Sequence, residues 1–149
     1  MKVVFFGTPD FSVPFLKAIL SAPEIDVLAV VTQPDKPAGR DHTLTPPAVK
    51  IKAEEAGLTV LQFPTLKKAP AAEELKALDA DVFVVVAYGK LIPQEILDIP
   101  RLGCVNVHPS MLPKYRGPAP IQGAIVNGDT QTAVSIMLLD AGMDTGPIL

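Results

Sequence analysis

Three short runs in this chain are apolar almost without interruption: residues 2–6 (Lys-Val-Val-Phe-Phe), 25–32 (Ile-Asp-Val-Leu-Ala-Val-Val-Thr) and 82–86 (Val-Phe-Val-Val-Val). A strand with one face in water alternates apolar and polar residues. A strand covered on both faces does not need to, and such strands belong to parallel sheets packed between helices. Helical patterns fill the intervals between the runs. The fold expected is therefore α/β: an open, mostly parallel twisted sheet with helices on both faces, in a Rossmann-like arrangement.

The remaining elements follow from punctuation, since 16 Pro and 10 Gly mark many turns. Asp10 or Ser12 can cap a helix reaching about Ser21, with Pro14 in its first turn and Val13, Leu16, Ile19 and Leu20 on one face. Residues 33–44 read as a loop, broken by Pro34, Pro37 and Gly39. Thr45-Pro46-Pro47 opens a helix to Ala56, and Gly57 stops it. A weaker strand at 59–63 precedes a helix at 71–78, with Glu73 and Glu74 early in it as the helix dipole favours. A short helix at 93–97, a strand at 103–108, a helix at 119–126 and a strand at 132–139 complete the alternation. Residues 140–145 read as a tight connection, and Gly146-Pro147-Ile148-Leu149 as the opening of another strand.

Composition removes several classes of protein. Hydrophobic residues make up 48% of the 149 and the net charge is −3, which excludes a disordered chain. One cysteine, Cys104, cannot form a disulfide within the chain, and with His42 and His108 it is too little for a structural zinc site. No metal is expected. The apolar runs fall far short of the roughly 18 residues of a membrane span, and Gly7-Thr8-Pro9-Asp10 interrupts any signal-peptide core. A cytoplasmic, monomeric protein without membrane contact is expected. Acidic residues outnumber basic ones, 16 to 13, so the chain has no global nucleic-acid footprint.

Familiar cofactor and nucleophile motifs are missing. Gly7-Thr8-Pro9-Asp10-Phe11 follows the first strand with only the first glycine of a dinucleotide fingerprint. Gly89-Lys90 lacks the rest of a phosphate loop, and no G-x-S-x-G elbow is present. Cys104 and His108 on one strand would stand about 13 Å apart, too far for a nucleophile–base pair.

The informative segment is Cys104-Val105-Asn106-Val107-His108-Pro109. Asn106 and His108 are two residues apart on a strand expected to be buried, so both point to one face while Val105 and Val107 pack on the other. Polar groups at such positions cost free energy unless partnered. The carboxyl end of the strand is also where open α/β sheets bind ligands. An amide and a protonated imidazole there can stabilise an oxyanion on a carbonyl under attack. Ser110 to Ile121, with Pro113, Pro118 and Pro120, would wall the pocket. If the strand at 132–139 lies beside the Asn-His strand, Asp144 in the following connection arrives at the same sheet end and can relay protons.

These segments resemble the folate-dependent formyltransferases: Asn106-Val107-His108, then Ser110-Met111-Leu112-Pro113-Lys114-Tyr115-Arg116-Gly117, then Asp144. Phe6-Gly7-Thr8-Pro9-Asp10-Phe11 and Asp35-Lys36-Pro37-Ala38-Gly39-Arg40 narrow the resemblance to the branch that formylates methionyl-tRNA. It covers all 149 residues. The resemblance implies transfer of a formyl group from 10-formyltetrahydrofolate to the amino group of methionyl initiator tRNA, for translation initiation. It implies a catalytic trio of Asn106 and His108, polarising the formyl oxygen, and Asp144, orienting His108 and relaying the amine proton. It places the folate contact on Ser110, Met111, Leu112 and Pro113, and a tRNA contact on Arg40. Residues 1–149 would be a catalytic domain whose C-terminal, tRNA-binding β-barrel partner is absent, leaving a piece that binds folate better than tRNA.

Met111 stands where family members often carry Leu, and Asp41-His42-Thr43 follows Arg40 where they often show lysines. Three other functions share parts of this pattern: formylation of a sugar-nucleotide amine, hydrolysis of formyl-folate, and a non-catalytic folate-binding module. Residues 35–40 argue against the first, and the intact trio against the last.

Overall fold

The computed structural model describes residues 1–38 and 43–149. Its elements are β1 (Lys2–Gly7), a single 3-10 turn (Asp10–Ser12), α1 (Val13–Leu20), β2 (Asp26–Thr32), β3 (Lys36–Ala38), β4 (Thr43–Thr45), α2 (Ala48–Glu55) and β5 (Val60–Gln62). Then come α3 (Ala69–Ala77), β6 (Val82–Val86), α4 (Gln94–Leu97), β7 (Cys104–His108), α5 (Pro120–Val126) and β8 (Ser135–Leu138). The main sheet has six strands in the order β5-β2-β1-β6-β7-β8. All pairs are parallel except β7 with β8. Among the described residues no helix is long and apolar enough to cross a membrane.

The near-continuous apolar strands bury both faces, as their sequence requires. Val4, Phe6, Phe83, Val85 and Cys104 meet Leu75 of α3 and Ile96 of α4 on one side. Phe5, Val30, Val86 and Val107 meet Leu16 of α1 and Val49 of α2 on the other. Phe6 packs on Phe83 at 5.2 Å and edge-on to Tyr88 at 5.4 Å between ring centres. Each such buried side chain contributes about 1.5–3 kcal/mol.

The chain moves outward from β1 through β2 to β5, then returns to β6 on the opposite side of β1. The order therefore reverses between β1 and β6, and the carboxyl ends of these strands form the crevice where such sheets take ligands. Strand β7 is next to β6, so His108 lies at the rim of that crevice.

Several local expectations are corrected. Residues 33–44 are not wholly loop: β3 and β4 pair there as a short antiparallel ladder, Lys36 with Thr45 and Pro37 with Leu44. Neither Asp10 nor Ser12 caps a helix with its side chain. The Ser12 hydroxyl is instead buried and donates to the Val86 carbonyl at 2.6 Å, satisfying the last residue of β6. Helix α3 starts at Ala69, two residues earlier than its apolar pattern suggests, because Pro70 sits comfortably in a first turn; Glu73 and Glu74 then fall beyond that turn. The residues 146–149 do begin an extended segment, since Ile148 bridges Met137 antiparallel to β8.

Candidate active site

Asn106 and His108 are on the same face of β7 as Cys104, toward the α3–α4 layer, and Val107 packs on the opposite side. Asn106 is 9% exposed and His108 5%. Among the described residues the Asn106 side chain makes no hydrogen bond, an unfavourable condition for an amide so nearly buried.

The His108 ring is held from two sides. Its Nε2 lies 3.0 Å from the Tyr115 carbonyl, which can only accept, so Nε2 carries a hydrogen. Its Nδ1 lies 3.6 Å from Asp144 Oδ2, close enough for an ion pair and too long for a hydrogen bond. Nδ1 is thus the nitrogen left to turn toward a third group. Asp144 Oδ2 accepts a 2.8 Å hydrogen bond from the Gly117 backbone N–H, which fixes the carboxylate between the loop and the ring.

The carboxylate gets there by an unexpected route. Strand β8 does lie beside β7, but it runs antiparallel, with Ser135 opposite His108 and Leu138 opposite Val105. Its end is therefore at the far rim of the sheet. Residues 140–145 turn back along β7, and Asp144, at φ 52°, reaches His108 from the loop rather than from the strand end.

The loop after β7 is knotted by its own hydrogen bonds. Ser110 is fully buried; its N–H donates to the His108 carbonyl at 2.8 Å and its hydroxyl to the Lys114 carbonyl at 2.6 Å. Ser135 donates to the Ser110 carbonyl at 2.7 Å and accepts from the Leu112 N–H at 3.2 Å. Ser110 and Leu112 thus shape the loop, and Met111 and Pro113 are its exposed surface. Arg40 lies outside the described residues. Among those described, no cluster of His, Cys, Asp and Glu is built to hold a metal ion.

A cleft of about 280 Å³ opens at the carboxyl ends of β1 and β2, with Thr8, Pro9, Asp10, Gln33, Lys36 and Pro47 in its walls. One strand separates β1 from β7, so its near wall is about 10 Å from the Asn-His strand. The side of the cleft formed by β3 and β4 is tied down at its root. Lys50 Nζ donates to both Asp35 oxygens at 2.9 and 2.8 Å and to Gln62 Oε1 at 3.1 Å. The Lys50 and Gln62 hydrogen bonds hold the Asp35 carboxyl below the usual carboxylate range.

The family model described as formyl transferase matches residues 1–149. The chain belongs to the formyl transferase family. Among curated relatives, the methionyl-tRNA formyltransferase of Synechocystis sp. (strain ATCC 27184 / PCC 6803 / Kazusa) is 59% identical over 150 residues, covering 100% of this chain and 46% of the relative. That of Pseudomonas fluorescens (strain SBW25) is 54% identical, covering 100% of this chain and 47% of its own length. The chain thus spans about half the length of the curated relatives it matches. The crystal structure of phosphoribosylglycinamide formyltransferase from Bacillus halodurans superposes with a TM-score of 0.77 at 26% identity, covering 99% of this chain and 76% of that one.

The formyl transferase fold accounts for the strands, and three of the residues the sequence singled out approach one another: Asn106 and His108 by strand register, Asp144 through its loop. The sequence reading missed two backbone groups, the Tyr115 carbonyl and the Gly117 N–H, which hold His108 and Asp144. Only Gly117, at φ 103°, carried a signal, as a glycine in a conformation other residues rarely adopt.

Proposed function

We propose that the chain is the catalytic domain of an enzyme that moves a formyl group from 10-formyltetrahydrofolate to the amino group of methionyl initiator tRNA. A C-terminal, tRNA-binding β-barrel domain would complete it. The observation that carries this reading is the convergence of an uncommitted amide, an anchored imidazole and a carboxylate at one sheet rim. Family membership and relatives named for methionyl-tRNA formylation support the choice of acceptor.

The geometry supports the following roles. The amine nitrogen bonds to the formyl carbon, and negative charge develops on the formyl oxygen. The Asn106 amide donates to that oxygen, and so does His108 through Nδ1 when its ring carries a proton on both nitrogens, in a site that excludes most water. Asp144, facing His108 with its carboxylate, accepts the proton the amine must lose. The bond from the carbon to the folate nitrogen then breaks and that nitrogen takes up the proton Asp144 received, which returns the carboxylate to its starting charge. Met111 and Pro113 are the loop surface offered to the folate, and Arg40 is assigned to the tRNA. The cleft beside β1 is assigned to the part of the acceptor next to its amine.

The test is a formyl-transfer assay with charged initiator tRNA and 10-formyltetrahydrofolate, run on these 149 residues and on the full-length protein that carries them. Formyl-methionyl-tRNA from the longer protein is expected, with weaker tRNA binding by the shorter. Activity on an amino sugar nucleotide with none on charged tRNA would overturn the acceptor. Formate release without any acceptor would point to hydrolysis instead.

A further inference from the structure

The hydrogen bond from His108 Nε2 makes a loop carbonyl, that of Tyr115, the part that aims the imidazole. A carbonyl on a loop aims nothing unless it is fixed in turn. Tyr115 has φ 57°, a left-handed conformation an L residue keeps only when its surroundings impose it. Those surroundings are on its side chain.

The Tyr115 hydroxyl donates to Asp129 Oδ2 at 2.7 Å. Asp129 also accepts from Lys114 Nζ, at 3.0 and 2.9 Å to its two oxygens. The same ammonium stands 5.3 Å from the Tyr115 ring centre. The ring edge lies against α5 at Gly123, where a Cβ would come within 2.8 Å of Tyr115 Cδ1. Asp129 is anchored by its own N–H, which donates to the Ala124 carbonyl at 3.0 Å. The phenol is thus held at its tip, its face and its edge. The Lys114 and Tyr115 hydrogen bonds hold the Asp129 carboxyl below its ordinary value of 3.8.

An ordinary surface ion pair would add little, since Lys114 is mostly exposed. The Asp129 carboxylate differs because its second partner, the phenol, belongs to the residue whose carbonyl holds His108. We propose that Asp129 is a positioning residue: through the Tyr115 phenol it fixes the Tyr115 carbonyl, and through that carbonyl the direction of the His108 imidazole. The inference rests on the proposed role of His108. Asp129 itself touches no reacting atom.

The experiment measures kcat, and KM for both substrates, in full-length protein carrying Tyr115→Phe, Asp129→Ala or Asp129→Asn. Tyr115→Phe keeps the ring and loses only its hydroxyl. It and Asp129→Ala are expected to lower kcat about tenfold and leave both KM values within about twofold, because misaim of a catalytic group affects the reacting geometry more than binding. Asp129→Asn keeps an oxygen that accepts the phenol and is expected to restore most of the rate. A second readout does not need activity: nitrogen-15 resonances of His108, assigned by their loss in His108→Ala. The unsubstituted protein is expected to show a slowly exchanging Nε2–H, and Tyr115→Phe and Asp129→Ala a faster one.

Unchanged kcat in both variants, a rise in KM alone, or an Nε2–H insensitive to both substitutions would overturn the proposal. Failure of the unsubstituted protein to formylate any amine would instead remove the proposed function, and the His108 resonances would still decide whether Asp129 orients the ring.

Discussion

His108 Nδ1 stands 3.6 Å from Asp144 Oδ2, although the strand that leads to Asp144 runs away from His108. The contact exists because the loop after β8 doubles back and because the Gly117 N–H holds the carboxylate at 2.8 Å. Asp144 is thus a loop residue aimed by another loop, as sites built on rigid sheets commonly are.

Asp144→Asn keeps an oxygen for the Gly117 N–H but removes the carboxylate proposed as the base. We expect kcat for formyl transfer to fall by about 10²–10⁴-fold in full-length protein, the range for loss of a general base. The melting temperature and the KM for folate should change little. Steady-state kinetics with thermal unfolding checks both. A kcat close to that of the unsubstituted protein would remove Asp144 from the proton path.

Gly123→Ala should destabilise the chain, although alanine normally improves a helix by about 0.5–1 kcal/mol. The new Cβ would meet Tyr115 Cδ1 at 2.8 Å and Cε1 at 3.3 Å. Relieving that overlap moves the ring, at about 1 kcal/mol or more. Urea unfolding measures the sign. In a Tyr115→Ala background the same substitution should turn stabilising, since nothing remains to collide with.

The Cys104 thiol should be inert in the folded protein. It is 1% exposed, and burial, with a smaller contribution from Asp98, pushes its pKa up to about 12. A thiol that does not ionise and is not reached by solvent does not react. Labelling with a thiol reagent at pH 8 should proceed only at the rate of unfolding, and at once in denaturant.

Asp35 should contribute to stability above the usual carboxylate range and not at strongly acid pH. Hydrogen bonds from Lys50 and Gln62 lower its pKa from 3.8, so the folded chain binds the proton more weakly than the unfolded one. The contribution is complete above the unfolded value and disappears as pH falls through the lower, folded value. Urea unfolding of Asp35→Asn against the unsubstituted chain should differ at pH 7 and converge as acid is added. Amide exchange of the β3–β4 ladder should quicken in the variant, because that two-stranded ladder is marginal without its root.

The legible part of the fold was the part governed by period. The run 82–86 became β6 with both bounds unchanged, and 25–32 became β2 with one residue trimmed. Apolar continuity is a local signal of burial on both faces, and the sheet between helices follows from it. Strands β3 and β4 carried no such signal. They are three residues long, β3 contains Pro37, and β4 is exposed throughout, so only a neighbour across the ladder makes either a strand. Ser12 failed as a cap for a related reason: the Val86 carbonyl, remote in sequence, offered its hydroxyl a buried partner.

The sequence by itself determined a parallel sheet with covered faces, and it placed Asn106 and His108 side by side on one strand, because strand periodicity is a property of the local backbone. The tertiary structure alone decided that β8 runs antiparallel, that a returning loop brings Asp144 to the imidazole, and that the Tyr115 carbonyl holds the other side of that ring. Those contacts join segments whose approach depends on how the chain closes around its core, and no short-range pattern of residues encodes the path of a loop.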